Sequence, residues 1–326
     1  MNRYAGVVIV TATLIGVVVS GPRVGVTDQW LEPVLDDDLD EYLLDEESRV
    51  PDLRPGDGRG IVWYDSVARA RTPIALVYLH GFSADRHELE PVVSELGSEL
   101  KANVFFARLS GHGRTGNAMA EATAEDWMDD VAEAVAVGGR IGERVVLIGT
   151  STGGTLAVWA ATREEARSRL LGIVLISPNF HPRNRTSRVL LYPWGGQIAR
   201  AVQGAERCFT PLNERQREHW TTCYPTSALL PMMAFVEHVR TMDLSVITVS
   251  SLVLYSADDT VVDTRETDRV LATFSGSDSR AYVVTTTTDP DGHVLAGDIM
   301  SPQSNEEVQS VIADFVRGLA ASGELR

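Results

Sequence analysis

The sequence predicts an α/β fold built on a mostly parallel, doubly wound sheet, with a helical cap inserted late in the chain. Two observations carry this expectation. From residue 60 onward, short continuous apolar runs of strand length alternate with helix-length amphipathic segments. That is the pattern of strands buried on both faces by crossover helices. The alternation breaks between about 179 and 250, where Pro182, Pro193, Pro211, Pro225 and Pro231 interrupt two helical stretches. A structureless loop of that length does not belong in a compact domain. The interruption therefore reads as a cap over the C-terminal edge of the sheet.

Taken in order, residues 1–22 read as a signal peptide or a membrane anchor. Arg3 precedes an apolar run from Tyr4 to Val19, between a signal-peptide core and the span of about 20 residues that crosses a bilayer. The protein is expected to be exported, periplasmic or otherwise extracytoplasmic, with membrane contact through this segment only. Residues 23–60 read as an acidic linker, with Pro33, Pro51 and Pro55. Inside it, Leu39, Tyr42 and Leu43 have helical spacing after an Asp-rich cap, which predicts a short helix over 38–47. Residues 61–326 form the α/β domain. Its predicted strands are 74–79, 103–108, 144–148, 171–176, 251–255 and 281–286, each mostly apolar or β-branched. Its predicted helices are 88–100, a segment reaching 141 from a capping box of Thr123 and Asp126, 152–162, 264–274 and 305–320. Within the cap, helical stretches are expected near 198–205 and 230–242.

Composition excludes several functions. The 326 residues carry a net charge of −16. Between Asp28 and Asp52, eleven acids and the single base Arg49 account for ten of those negative charges. The acidity is mostly local and says little about a substrate. No basic patch is present to meet phosphates, so nucleic acid is not an expected partner. Cys208 and Cys223 have no metal-ligand spacing and no histidine cluster in the sequence beside them, so no metal site is expected. They lie 15 positions apart in the cap. An oxidising compartment would permit a disulfide there, and two unpaired thiols are the alternative.

The chemistry is carried by Gly149-Thr150-Ser151-Thr152-Gly153, a G-x-S-x-G segment between a predicted strand and a predicted helix. A sharp strand-to-helix turn there pushes the Ser151 hydroxyl above the sheet edge, and the glycines permit close backbone approach. A serine hydroxyl is a weak nucleophile and needs a base. Of seven histidines, His293 follows the last predicted strand and precedes the last helix, where this fold delivers a base to the sheet edge. His80 and His112 sit in turns, His87 opens a helix, and His181, His219 and His238 fall in the cap, so each reads as structural or solvated. An acid must orient the base, and Asp258 and Asp259 both follow the strand ending at Tyr255. The order serine, acid, histidine is that of strand-to-helix elbow hydrolases. An oxyanion would be met by the backbone N–H of Thr152, at a helix N-terminus, and of Phe82, in the loop after Leu79.

Taken together, the strand followed by His80-Gly81-Phe82, Arg108-Leu-Ser-Gly-His-Gly113, the Ser151 elbow, Ser256-Ala-Asp-Asp-Thr-Val-Val262 and Gly292-His-Val294 resemble bacterial α/β-hydrolase carboxylesterases similar to monoacylglycerol lipases. The resemblance covers about residues 60–320. It implies the α/β-hydrolase fold, ester hydrolysis through an acyl-enzyme, a small-molecule ester substrate and no cofactor. In that family the acid follows a strand as G-x-x-D-x-x-V, which implies Asp259, although Ser256 stands where glycine is usual. The fold also hosts thioesterases and amidases with the same triad. A non-catalytic, membrane-tethered binding protein of this fold is the alternative from a different class. The cap is rich in large apolar side chains, with Met232 and Met233 expected as an adaptable wall of the substrate pocket.

Overall fold

Strand residues alternate between two cores, one on each face of the sheet. In the computed structural model, which describes residues 20–276 and 278–321, the strands are β1 (Gly60–Val62), β2 (Thr72–Leu79), β3 (Asn103–Phe106), β4 (Gly142–Thr150), β5 (Leu170–Ile176), β6 (Glu206–Cys208), β7 (Cys223–Pro225), β8 (Ser250–Tyr255) and β9 (Ser279–Val283). Seven of them form one sheet in the order β1-β3-β2-β4-β5-β8-β9. Only β1 runs antiparallel to its neighbour. The helices are α1 (Leu39–Ser48), α2 (Glu90–Leu100), α3 (Ala124–Ile141), α4 (Thr152–Ala161), α5 (Glu164–Arg167), α6 (Gly195–Gln203), α7 (Glu214–His219), α8 (Leu229–Thr241), α9 (Thr264–Leu271) and α10 (Asn305–Ala321). Because side chains alternate faces along a strand, Ala75, Val77, Leu79, Val145 and Leu147 pack with α3 and α4, while Leu76, Tyr78, Val146 and Ile148 pack with α2 and α10.

This is the expected doubly wound α/β sheet, and its C-terminal edge collects the loops after β2, β4, β8 and β9. Between β5 and β8 lies the inserted segment, which holds α6, α7 and α8 and the two-stranded hairpin β6–β7. The hairpin was not foreseen: three-residue strands carry too little pattern to register. Cys208 pairs with Cys223 across it, and the two are joined in a disulfide. The edge strand β1 escaped prediction for the same reason, and the predicted strand 103–108 ends earlier, at Phe106.

The acidic segment is no free spacer. Asp38 caps α1 by accepting from the Asp40 and Glu41 N–H groups, and Leu39 and Leu43 are buried against the main core. Each such leucine contributes about 1.5–3 kcal/mol. Trp30 stacks on Trp159 at 5.6 Å. The acids find arginines of the domain: Asp28 meets Arg163 at 2.7 Å, Glu32 meets Arg169 at 2.5 Å, and Glu47 meets Arg108 at 2.9 Å. Charge that reads as an acidic linker in sequence therefore docks the segment onto the connections that follow β3, α4 and α5. The apolar run from Tyr4 to Val19 lies outside the described residues. Among those described, no helix is long and apolar enough to cross a membrane.

Candidate active site

Ser151 sits between the end of β4 and the start of α4 with φ +52° and ψ −113°. A non-glycine residue held there costs on the order of 1–3 kcal/mol. The Ser151 N–H donates to the Ile176 carbonyl at 2.8 Å, and the Asn179 N–H donates to the Ser151 carbonyl at 3.0 Å. These bonds hold the turn against its strain. The flanking glycines are required by close approach: a Cβ at Gly153 would lie 2.2 Å from the Leu79 carbonyl oxygen, and one at Gly149 would lie 2.3 Å from that of Gly153.

His293 Nε2 lies 3.0 Å from Ser151 Oγ, and its Nδ1 lies 2.8 Å from Asp259 Oδ2. Asp259 accepts on its other oxygen from the Val261 and Val262 N–H groups at 2.7 and 2.9 Å. With an acceptor-only carboxylate facing Nδ1, the ring proton sits on Nδ1 and the Nε2 lone pair faces the serine. Burial pushes His293 toward its neutral form. The hydrogen bond and charge of Asp259, joined by the charges of Glu88 and Asp289, outweigh burial and raise its pKa above the ordinary histidine value. Asp258, by contrast, is exposed and has no bond to His293.

The loops that present these groups are tied together. The Thr260 N–H donates to the Asp291 carbonyl at 2.9 Å. Gly292 has φ +63°, and a Cβ there would press on the Asp258–Asp259 backbone at 3.2 Å. Asp289 accepts from the N–H groups of His293 and Val294 at 3.0 and 2.8 Å. Asp289 was missed in the sequence; its only signal is an acid four residues before the histidine.

Thr152 is the first residue of α4, so its N–H has no acceptor within the helix. The Phe82 loop is shaped from below. The Gly81 N–H and the Tyr78 hydroxyl both donate to Glu88 Oε2 at 2.8 Å. Glu88 is fully enclosed, and burial raises its pKa above the ordinary value although these donors pull it down. His80 Nε2 accepts from the Leu109 N–H at 3.1 Å, so its Nδ1 proton goes to the Gly81 carbonyl at 2.9 Å. Burial pushes His80 down to about 4, a neutral structural residue. Glu88 was overlooked because a helix-opening acid usually faces solvent.

Ser151, His293, Phe82, Thr152, Met232 and Met233 all line one cavity of about 780 Å³ under the cap. Its walls are mixed, with Leu190, Trp220, Leu229 and Val294 on the apolar side and Asn179, Arg207 and Asp291 on the polar side. The size suits a small-molecule ligand. Met232 Sδ lies 3.4 Å from Asn179 Nδ2, which anchors one face of α8 beside the serine.

A second polar cluster lies apart from this cavity. Ligand atoms of Asp57, Asp85, His87 and His219 all fall within 4.8 Å of one another. Burial and the Asp85 charge push Asp57 up to about 6. Burial also opposes the charge of Asp85, but hydrogen bonds from His219 and His87 hold its pKa below the ordinary range. These residues come from three distant segments, so no spacing in the sequence announces them.

Residues 76–312 match the sequence profile of the alpha/beta hydrolase family. A thermostable monoacylglycerol lipase of Bacillus sp. (strain H-257) is 30% identical over 105 residues, 32% of this chain. The chain spans 40% of the length of that curated relative. A structure from work on the metagenome-derived lipolytic enzymes LipS and LipT superposes with a TM-score of 0.67 at 21% identity, covering 82% of this chain and 99% of the other. The monoacylglycerol lipase of Paleococcus ferrophilus gives 0.56 at 14% identity, covering 80% and 98%. A soluble variant of the monoglyceride lipase of Saccharomyces cerevisiae gives 0.59 at 11% identity, covering 80% and 91%. At these identities the structural likenesses speak to fold.

Proposed function

The chain belongs to the alpha/beta hydrolase family, and on that premise we propose that it is a serine carboxylic ester hydrolase acting on esters with apolar acyl groups of short to medium length. The observation that carries the reading is the hydrogen-bonded series Ser151–His293–Asp259 opening into a cavity of about 780 Å³ with an apolar wall from α8. Ser151 Oγ attacks the ester carbonyl carbon while His293 Nε2 takes its proton. The N–H groups of Phe82 and Thr152 receive the oxyanion. As the tetrahedral intermediate collapses, His293 returns that proton to the leaving alcohol and the acyl group stays on Ser151. Water then gives a proton to His293 as it attacks the acyl-enzyme, and the proton passes to Ser151 as the acid departs. Asp259 keeps the imidazole in the productive tautomer and balances the imidazolium.

Met232 and Met233 form an adaptable part of the acyl wall, so discrimination along a homologous series should be graded, at about 1–3 kcal/mol per methylene. The apolar segment after Arg3 supports an exported enzyme. A C-terminal reporter that works only in the cytoplasm should be silent, and a signal from it would refute export. The function is tested by a rate series on p-nitrophenyl esters with the purified chain and Ser151→Ala. Turnover peaking at short to medium acyl length and lost by about a millionfold in the variant is expected. A variant near the wild-type rate, or a wild type without turnover, would refute the assignment.

A further inference from the structure

The cluster of Asp57, Asp85, His87 and His219 joins three parts of the molecule. Asp57 precedes β1, Asp85 and His87 follow Phe82 in the loop after β2, and His219 closes α7 in the cap. Both carboxylates are buried and both imidazoles partly so. The two rings stack at 3.9 Å and 28°, and each turns its Nδ1 toward the same pair of acids. His87 Nδ1 lies 3.0 Å from Asp85 and 3.6 Å from Asp57, while His219 Nδ1 lies 3.2 Å from Asp85 and 3.5 Å from Asp57. Each Nδ1 reaches a different Asp85 oxygen, Oδ1 for His87 and Oδ2 for His219, while Asp57 Oδ1 faces both rings without a hydrogen bond from either. A tetrahedral ion held at about 2.0–2.2 Å by nitrogen and oxygen ligands requires ligand atoms about 3.3–3.6 Å apart. The nitrogen–oxygen separations, 3.0–3.6 Å, lie near that requirement, with Asp85 offering a different oxygen to each ring, and one ligand atom from each residue falls within 4.8 Å of the others.

The surroundings suit such an ion as well. Arg54 Nε donates to Asp57 Oδ2, which leaves Oδ1 as the oxygen facing both histidines. His87 Nε2 lies 3.3 Å from Glu90 Oε2. With an ion on Nδ1, the ring proton would sit on Nε2 beside Glu90, the carboxylate–histidine pattern that supports metal ligation. A divalent ion would meet the charges of Asp57 and Asp85, while Arg54 pairs with Asp57 and Arg86 with Glu90 at 2.6 Å. Two imidazoles disfavour calcium and magnesium, which take oxygen ligands.

We propose that Asp57, Asp85, His87 and His219 form a closed structural site for a zinc-class divalent ion, which fastens the cap and the segment before β1 to the loop that carries Phe82. Four protein ligands leave no open position, which marks the site as structural. It extends a link the backbone already makes, the bond from the Thr221 N–H to the Ser83 carbonyl at 2.7 Å. Trp220, beside His219, lines the main cavity, so the ion would steady one cavity wall. The proposal is independent of the chemistry at Ser151.

The test uses the full chain and Ser151→Ala, each stripped with a chelator, dialysed metal-free and titrated with Zn²⁺ by calorimetry. Both should bind one equivalent, and the thermal midpoint should rise with Zn²⁺ concentration. Replacement by Co²⁺ should give the intense visible absorption of a tetrahedral site. His219→Ala should lose the equivalent and the shift; should that variant fail to fold, Glu90→Gln should bind more weakly, by about 10- to 100-fold. Absence of saturable Zn²⁺ binding by the stripped wild type would overturn the proposal. Binding retained unchanged in the folded variants would overturn it too.

Discussion

Asp259→Asn separates orientation of the base from everything else the acid does. Asp259 is fully buried and its two oxygens serve different partners. One accepts from the Val261 and Val262 N–H groups at 2.7 and 2.9 Å, and the other faces His293 Nδ1 at 2.8 Å. An asparagine has a single oxygen. If that oxygen stays on the two N–H groups, its NH₂ faces Nδ1, which must then accept. The ring proton moves to Nε2, where it points at Ser151 and the base is lost. The flipped amide restores the tautomer but sets its NH₂ against the buried Val262 N–H and the part-buried Val261 N–H, at about 1–3 kcal/mol for each group left unpaired, or about 2–6 kcal/mol in all. At about 1.4 kcal/mol per factor of ten, the productive form falls by about 30-fold to more than 10,000-fold. Loss of the charge beside the imidazolium adds to this, so kcat should drop by about a thousand- to ten-thousandfold. The assay is steady-state hydrolysis of a short-chain p-nitrophenyl ester, with folding checked by circular dichroism. Asp258→Asn, at an exposed position, should stay within about twofold of wild type. Equal effects, or an Asp259→Asn rate within tenfold of wild type, would refute the reasoning.

Three further outcomes are expected. Because Asp259, Glu88 and Asp289 together raise the His293 pKa against burial, kcat/KM should fall as the pH drops through an inflection above the ordinary histidine value. Glu88→Gln should move that inflection down, and an unmoved profile would deny Glu88 its influence. Met232→Ala and Met233→Ala should shift the optimum acyl length by about 10- to 200-fold in relative kcat/KM per methylene, whereas an unchanged profile in both would remove α8 from the acyl wall. The Cys208–Cys223 disulfide closes a loop of sequence separation 15. Titration of the denatured, unreduced protein should find no free thiol, and Cys208→Ser with Cys223→Ser should lose up to about 3 kcal/mol of stability; two free thiols would contradict the bridge.

What could be read from the sequence was whatever is written locally. The runs at 74–79, 144–148 and 171–176 fall inside strands because burial on both faces leaves no room for polar residues. The Ser151 turn was legible because its glycines are dictated by contacts within a few residues, such as Gly153 against Leu79 and His80. The choice between Asp258 and Asp259 was not local. It depends on which side chain the turn sends inward, and only resemblance to a family pattern favoured Asp259. Convergence across the chain left no trace at all. Asp28 reads as part of an acidic spacer until Arg163 and Trp159 are placed beside it. His87 and His219 read as structural or solvated, and Asp57 as one more residue of the acidic linker, until folding brings them to Asp85.

The central claim is that Ser151 is a nucleophile activated by His293, and a fluorophosphonate probe tests it directly. The purified wild-type chain should take up one equivalent, with the adduct located by mass spectrometry on the peptide containing Ser151. The rate of labelling should rise with pH through the His293 inflection, and Ser151→Ala should remain unlabelled. Absence of labelling in a folded wild-type chain would contradict the account, as would an adduct on another serine.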